Sequence, residues 1–419
     1  MPTIRRGAVT KNTLTYGSVC SGIEAVSVAW RDLPFRPLWF SEIEPFPSAV
    51  LAFHWPEIPN HGDMTLLADR VLNGDIPAPD ILAGGTPCQS FSVAGSRLGL
   101  NDPRGQLTLS YIRLADAIDS KRAEEKKHAT IILWENVPGV LSDATNAFGE
   151  FIAGLAGENT PFIPGSPPAA GKSSTFWRWS KKHGNRHIPK WPRAGCVYGA
   201  RRNIAWRELD AQHFGLAQRR KRLFVIAGAG ESFDPAEILF EFGSLCGDIA
   251  AGGDARTSAA IAATAGTGGE GQTVYNKRRI GEYAASDIHS TCTASDYKDA
   301  HDLVVFPAVC VASNTIGRTP QSGGHHLGLT PELCYTLHTS HNSHAVIHGY
   351  DVRDVRRLMP LEYERLQGFP DHFTRIPWKG KQAPDCPDAP RYKALGNSMA
   401  VPVVTWLGKR LSDYLASRH

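Results

Sequence analysis

No apolar run in the 419-residue chain is long enough to span a bilayer. The basic opening stretch, MPTIRRGAVTKNTLTYG, has no secretory h-region. Neither a membrane protein nor an exported one is expected, and the reading places the chain in the cytoplasm. Eight cysteines are present (Cys20, Cys88, Cys196, Cys246, Cys292, Cys310, Cys334 and Cys386), but no two form a CxxC pair. That argues against a disulfide framework and a paired-cysteine redox motif, and leaves reduced thiols, one of which can be catalytic. The first strand–helix turn has no GxGxxG, and the chain shows no internal repeat. Charge of one sign is scarce too: 45 Lys and Arg against 41 Asp and Glu leave +4, with a pI of about 8.6. This permits a polyanionic partner without demanding one.

The chain does have alternating strands and helices. Leu14–Val19, Pro37–Ser41, Asp80–Gly84, Thr130–Glu135 and Arg222–Ala227 read as strands; Ile23–Arg31, Pro45–His54 and Leu107–Ile118 read as helices. The alternation predicts an α/β fold, a mostly parallel sheet with helices on both faces and ligands at the carboxyl ends of its strands. Two stretches interrupt it. Residues 157–193, rich in Pro, Gly, Ser, Trp and basic residues, read as a long surface loop or insertion. Residues 231–349 read as a separate, irregular, β-rich domain, after which Leu361–Gln367 and Met399–Leu415 are helical again.

The first strand runs into GSVCSGIEA, a turn before a helix in which Gly22 lets backbone N–H groups approach a ligand. Alone this is an ordinary strand–helix turn. Glu42 ends the next strand, twenty positions on, where a carboxylate suits a ribose hydroxyl pair. Asp63 follows the next helix, placed for an adenine amino group or, as a plainer alternative, for capping a helix. Together the three residues point to an adenosine-containing cofactor.

Directly after Asp80–Gly84 comes GGTPCQSFSVAGSRLGLNDPRGQL. Cys88 therefore sits on a loop at a strand's carboxyl end, flanked by polar and small residues. Arg97 and Arg104 in the same loop are placed to favour its thiolate. Glu135, in WENVPGV, ends the next strand and would project toward the same place. A thiolate beside a carboxyl suits addition to C6 of a pyrimidine, with the carboxyl hydrogen-bonded to N3, so that C5 becomes nucleophilic toward a methyl sulfonium.

At this point the chain resembles the DNA (cytosine-5)-methyltransferases of bacterial or phage type. PCQ (Pro87–Gln89) looks like the nucleophile motif, ENV (Glu135–Val137) like the glutamate motif, and QRRKR (Gln218–Arg222) like QxRxR. RLMPLEYERLQGFPDHF (Arg357–Phe373) and ALGNSMAVPV (Ala394–Val403) look like the two late motifs. With the first strand–turn–helix that makes six blocks in order, over about 1–230 and 350–419. The resemblance implies a Rossmann-like sheet binding S-adenosylmethionine and acting on double-stranded DNA by base flipping. It implies Cys88, Glu135, Arg220 and Arg222 as catalytic residues. Cofactor contacts are implied for Cys20, Ser21, Gly22, Ile23, Glu24, Glu42, Ile43, Asp63, Met64, Pro87, Asn397 and Ser398, and DNA contacts for Gln89, Ser92, Arg97, Arg104 and Gln218. The chain departs from the family at Cys20, where an aromatic residue is expected, and at Glu24 and Ala25, where glycines are common.

The resemblance also implies an organisation: a catalytic domain over 1–230 with an insertion near 157–193, target recognition over 231–349, and a return to the catalytic domain over 350–419. Lys277, Arg278 and Arg279 are candidates for phosphates, or simply a solvated face. Cys334, His338, His341, His344 and His348 have zinc-like spacing, but Thr, Ser and Asn between them are poor helix formers, so a polar loop and no metal is the preferred reading. A monomer is expected, either solitary and protective or beside a separately acting restriction endonuclease. RNA as substrate stays open. Methylation of an exocyclic amine is disfavoured, because Thr86-Pro87-Cys88-Gln89 stands where an Asp/Asn-Pro-Pro-aromatic loop would be. A non-catalytic DNA-binding module and a nicotinamide-linked dehydrogenase are weaker still.

Overall fold

The computed structural model describes residues 13–86, 103–240, 273–279, 282–286, 288–292, 302–305, 309–311, 329–331, 345–347 and 355–418. Cys88, Pro87, Gln89, Ser92 and Arg97 lie outside the described residues. Of the side chain of Arg104, at the start of a helix, nothing is described.

In chain order the first elements are β1 (Leu14–Val19), α1 (Ala25–Ala29), β2 (Phe35–Ser41), α2 (Pro45–His54), α3 (Leu67–Leu72), β3 (Ile81–Gly84), α4 (Pro103–Glu124), β4 (Ile131–Asn136) and α5 (Ala147–Ala156). Then come β5 (Trp177–Ser180), β6 (Arg186–Pro189), β7 (Ala194–Tyr198), β8 (Asn203–Asp210), β9 (Lys221–Gly228) and α6 (Pro235–Leu239). Seven strands form one sheet in the order β2-β1-β3-β4-β9-β8-β7. The strands from β2 to β4 are mutually parallel. The β4–β9, β9–β8 and β8–β7 pairings are antiparallel, so the sheet is mixed rather than mostly parallel. The reason is loop length: β8 reaches β9 through the short turn Ala211–Phe214 and left-handed Gly215, too short for a crossover.

β1 connects outward to β2, and the chain then returns to the other side of β1 as β3. The order therefore reverses between β1 and β3, the point where sheets of this kind bind ligands at the carboxyl ends of their strands. Strand alternation feeds two cores. Ile81, Ala83, Leu133, Phe224 and Ile226 face one; Leu82, Ile132, Trp134, Leu223 and Val225 face the other, under α3, α4 and α5.

The stretch around 157–193 contains a β5–β6 hairpin rather than loop alone. Short strands follow: β10 (Thr273–Arg279), β11 (Glu282–Ser286), β12 (Asp302–Val305), β13 (Val309–Val311), β14 (Leu329–Pro331), β15 (Ala345–Ile347) and β16 (Val355–Arg357). They pair among themselves in sheets of four and three strands and do not join the large sheet.

The chain ends in α7 (Pro360–Gln367), α8 (Asp388–Asn397) and α9 (Val401–Ala416). α9 packs on α1, and the Trp30 indole N–H donates to Val404 O at 3.0 Å. α7 is fastened to α8 by the buried Arg391–Glu364 pair (3.2 Å). Glu364 also accepts from the backbone N–H groups of His372 and Thr374 at 2.7 and 2.8 Å, which spends its lone pairs inside the protein.

Candidate active site

Three strand ends meet at this reversal, and glycines make this possible. Gly84 has φ of 131°, and a Cβ there would overlap the Val19 carbonyl; a Cβ on Gly85 would overlap that of Glu135. The carboxyl end of β3 therefore runs in backbone contact with the ends of β1 and β4, as no side-chain-bearing residue could. The chain then leaves toward Cys88, three residues beyond Gly85. Asn136, a residue missed in the sequence reading although it lies in the ENV block, holds the start of that loop. Its side-chain amide donates to Thr86 O at 2.7 Å, and its carbonyl accepts from Val137 N–H at 2.8 Å.

Beside it, Glu135 Oε1 lies 3.0 Å from Arg222 Nε, both side chains mostly buried. Burial raises the Glu135 carboxyl above its ordinary range, against the downward pull of Arg222 and Arg220. The two residues face each other across the antiparallel β4–β9 pairing, near which Glu135 is partnered with Phe224. Arg220, two positions earlier, has 1% exposure. Its guanidinium donates to Cys292 O (2.9 Å), Gly396 O (2.8 Å) and Ser398 O (2.6 Å). Gln218 has 0% exposure. Its amide donates to Leu366 O (2.8 Å) and accepts from Cys292 N–H (3.0 Å), so a direct DNA contact, as expected from the motif, has no open face to use. The physical reason is that QRRKR enters β9 with alternate side chains turned inward.

At the β1 and β2 ends, Glu42 joins two loops. Its Oε2 accepts from Gly22 N–H and its Oε1 from Glu44 N–H, each at 2.7 Å. Burial raises its carboxyl, and these backbone bonds oppose the rise. Ile43 next to it is 71% exposed, an unusual state for isoleucine. Ile23 is fully buried in the core, and Ser21 donates to Ser18 O at 3.0 Å. Cys20, with φ of 46°, places its Sγ 3.6 Å from Met64 Sδ. Burial first, then Glu42 and Asp63, push the Cys20 thiol up to about 12, which keeps it an inert thiol. Exposed Asp63 accepts from Thr65 N–H at 2.9 Å and caps the turn Met64–Leu66, the plainer of its two expected roles.

Glu24 also differs from a ligand. It is fully buried, left-handed (φ 62°), and caps α1 through Ser27 N–H at 3.2 Å while accepting from Ser18 Oγ at 2.9 Å. Asn397 is exposed and Ser398 nearly buried at the end of α8. The zinc-like His stretch falls outside the described residues save 345–347, and among the described residues no cluster of metal-ligating side chains occurs. Among them also, no helix is long and apolar enough to cross a membrane.

Comparisons with known proteins agree with this architecture. The "DNA N-6-adenine-methyltransferase" of Escherichia phage P1 is 46% identical over 95% of this chain, which spans 61% of that protein's length. The Type II methyltransferase M2.BsuMI of Bacillus subtilis is 22% identical over 94% of the chain and 75% of the relative. The crystal structure of S. pombe Dnmt2 methyltransferase shares the fold, with a TM-score of 0.52, 15% identity, and coverage of 97% of this chain and 99% of that one. Residues 14–158 and 201–413 match the C-5 cytosine-specific DNA methylase family. With most of its length matched, the chain belongs to the C-5 cytosine-specific DNA methylase family.

Proposed function

We propose that the chain methylates C5 of cytosine in duplex DNA, with Cys88 as nucleophile and S-adenosylmethionine as methyl source. The observation that carries this reading is the Glu135–Arg222 pair at the end of β4, beside the glycine pair from which the Cys88 loop departs. A carboxyl raised by burial keeps its proton closer to neutrality, which suits it to hydrogen-bond N3 of a base. Arg222 holds that carboxyl in place, and Arg220 acts as a positioning residue through the backbone around Ser398.

In this mechanism the Cys88 thiolate forms a bond to C6, and the C5–C6 π pair moves to C5 as Glu135 shares its proton with N3. Bound cofactor supplies the electrophilic methyl group. C5 takes it as the methyl–sulfur bond breaks, the bonding pair staying on sulfur as a neutral thioether; a base then removes the C5 proton, and the electron pair left behind expels the thiolate. The fit of an adenosine-containing cofactor rests on buried Glu42 next to Gly22, with Ile43 as an open apolar platform. Asp63, Met64, Cys20, Ser21, Asn397 and Ser398 are assigned to the cofactor on the family resemblance. Gln89, Ser92, Arg97 and Arg104 are assigned to DNA.

We assign 1–230 and 350–419 to catalysis and 231–349 to target recognition, supported by the separate pairing of β10 to β16. The enzyme works in the cytoplasm as a monomer, solitary or beside a restriction endonuclease. The phage P1 relative bears the name of an adenine-N6 enzyme, a chemistry that needs neither a thiol nor an N3 partner; Thr86-Pro87-Cys88-Gln89 favours C5 here. Chromatography of DNA nucleosides after incubation with S-adenosylmethionine should show 5-methylcytosine, lost in Cys88→Ser. N6-methyladenine as the product would contradict the reading.

A further inference from the structure

The family match stops at 158 and resumes at 201. Between them lie seven basic residues (Lys172, Arg178, Lys181, Lys182, Arg186, Lys190 and Arg193) and no Asp or Glu. The whole chain carries only +4, so without this insertion it would be net acidic. Its fold presents that charge outward. Trp177, Ile188 and Trp191 are buried, whereas Lys172, Arg178, Lys181, Lys182, Arg186 and Lys190 are exposed. Among the described residues none of these six has an ion-pair partner, while Arg193 approaches Glu208 at 3.8 Å.

The hairpin is held firmly. The β5–β6 tip is ordered by Ser180 Oγ to His183 Nδ1 (2.8 Å), and left-handed Gly184 and Asn185 turn the chain. Trp191 N–H donates to Leu141 O at 2.8 Å, and its indole donates to Asn146 Oδ1 at 3.0 Å. β6 packs on the turn Pro138–Ser142, which begins three residues after Glu135 at the carboxyl end of β4. The insertion is thus a pre-formed basic arm rooted at the catalytic end of the sheet.

We infer that the β5–β6 arm binds phosphates of the duplex outside the target site, adding affinity without reading sequence. This rests on the proposed action on duplex DNA. Phosphate neutralisation releases counterions, so each contact steepens the fall of log affinity with log salt by about 0.9. Binding of a long duplex across a salt series is compared for the full chain and for Lys181→Ala/Lys182→Ala/Arg186→Ala. The variant slope should be shallower by about 2.7 for the three contacts, with methyl transfer at saturating duplex unchanged. The charge-preserving Lys181→Arg/Lys182→Arg/Arg186→Lys should keep the parent slope.

An equal slope in the alanine variant overturns the inference, as does a change seen with RNA or single strands but not with duplex. If the parent transfers no methyl group to any duplex, the proposed function fails, and the slopes still decide the arm.

Discussion

Two buried carboxyls at the carboxyl ends of the strands take opposite solutions. Glu135 shares a cation, Arg222, at the end of β4. Glu24 has only neutral donors, Ser18 and Ser27, and burial pushes it up to about 7 from an ordinary 4.5. A raised folded value means that its contribution to stability is fully present below 4.5 and is lost as pH rises through about 7. Glu24→Gln carries no charge at any pH and keeps an oxygen for Ser27. Its stability relative to the parent should therefore rise by roughly 3 kcal/mol between pH 4.5 and 8. Urea unfolding across that range checks this; parallel profiles for the two proteins would contradict it. The departure from glycine at Glu24 was visible in the sequence, but its capping of α1 was not, because a left-handed glutamate has no local signature.

At the scale of elements, α4 and the β7–β8 turn are held together by charge. Arg202, with its side chain at 0% exposure, lies 2.6 Å from Asp119 and 2.8 Å from Asp116. Removing the cation leaves partly buried carboxylates unpaired, so Arg202→Met should lower unfolding stability by about 3 kcal/mol, read by denaturant midpoint. An unchanged midpoint would show the carboxylates to be well solvated without it. β1 and α2 have the bounds that their apolar periodicity and Pro45 indicate. The β5–β6 hairpin and β8 were not legible. Pro, Gly and Ser mask the two-residue period in the first, and NIAWRELD has no clean alternation in the second. Strand direction was legible where loops are helices and missed beyond β4, where short turns reverse the chain.

For the whole molecule, distant segments converge on a few side chains. Arg220 reaches Cys292, Gly396 and Ser398, the last 178 positions away. Motif order in the sequence announced that these blocks belong together, but only the fold reveals that Arg220 and Gln218 hold them rather than face outward. Glu135 was legible as a carboxylate at a strand end because the apolar pattern marks β4, whereas Cys88, which the same pattern puts just after β3, lies outside the described residues. The central claim is that Cys88 attacks C6 of a flipped cytosine. It is tested most directly by incubating the protein with tritiated S-adenosylmethionine and duplex DNA containing 5-fluorocytosine, then separating the products under denaturing conditions. Fluorine at C5 blocks the last elimination, so the account predicts a labelled protein–DNA band that is absent in Cys88→Ser. Transfer to ordinary DNA with no trapped band, or a band that survives Cys88→Ser, would contradict it.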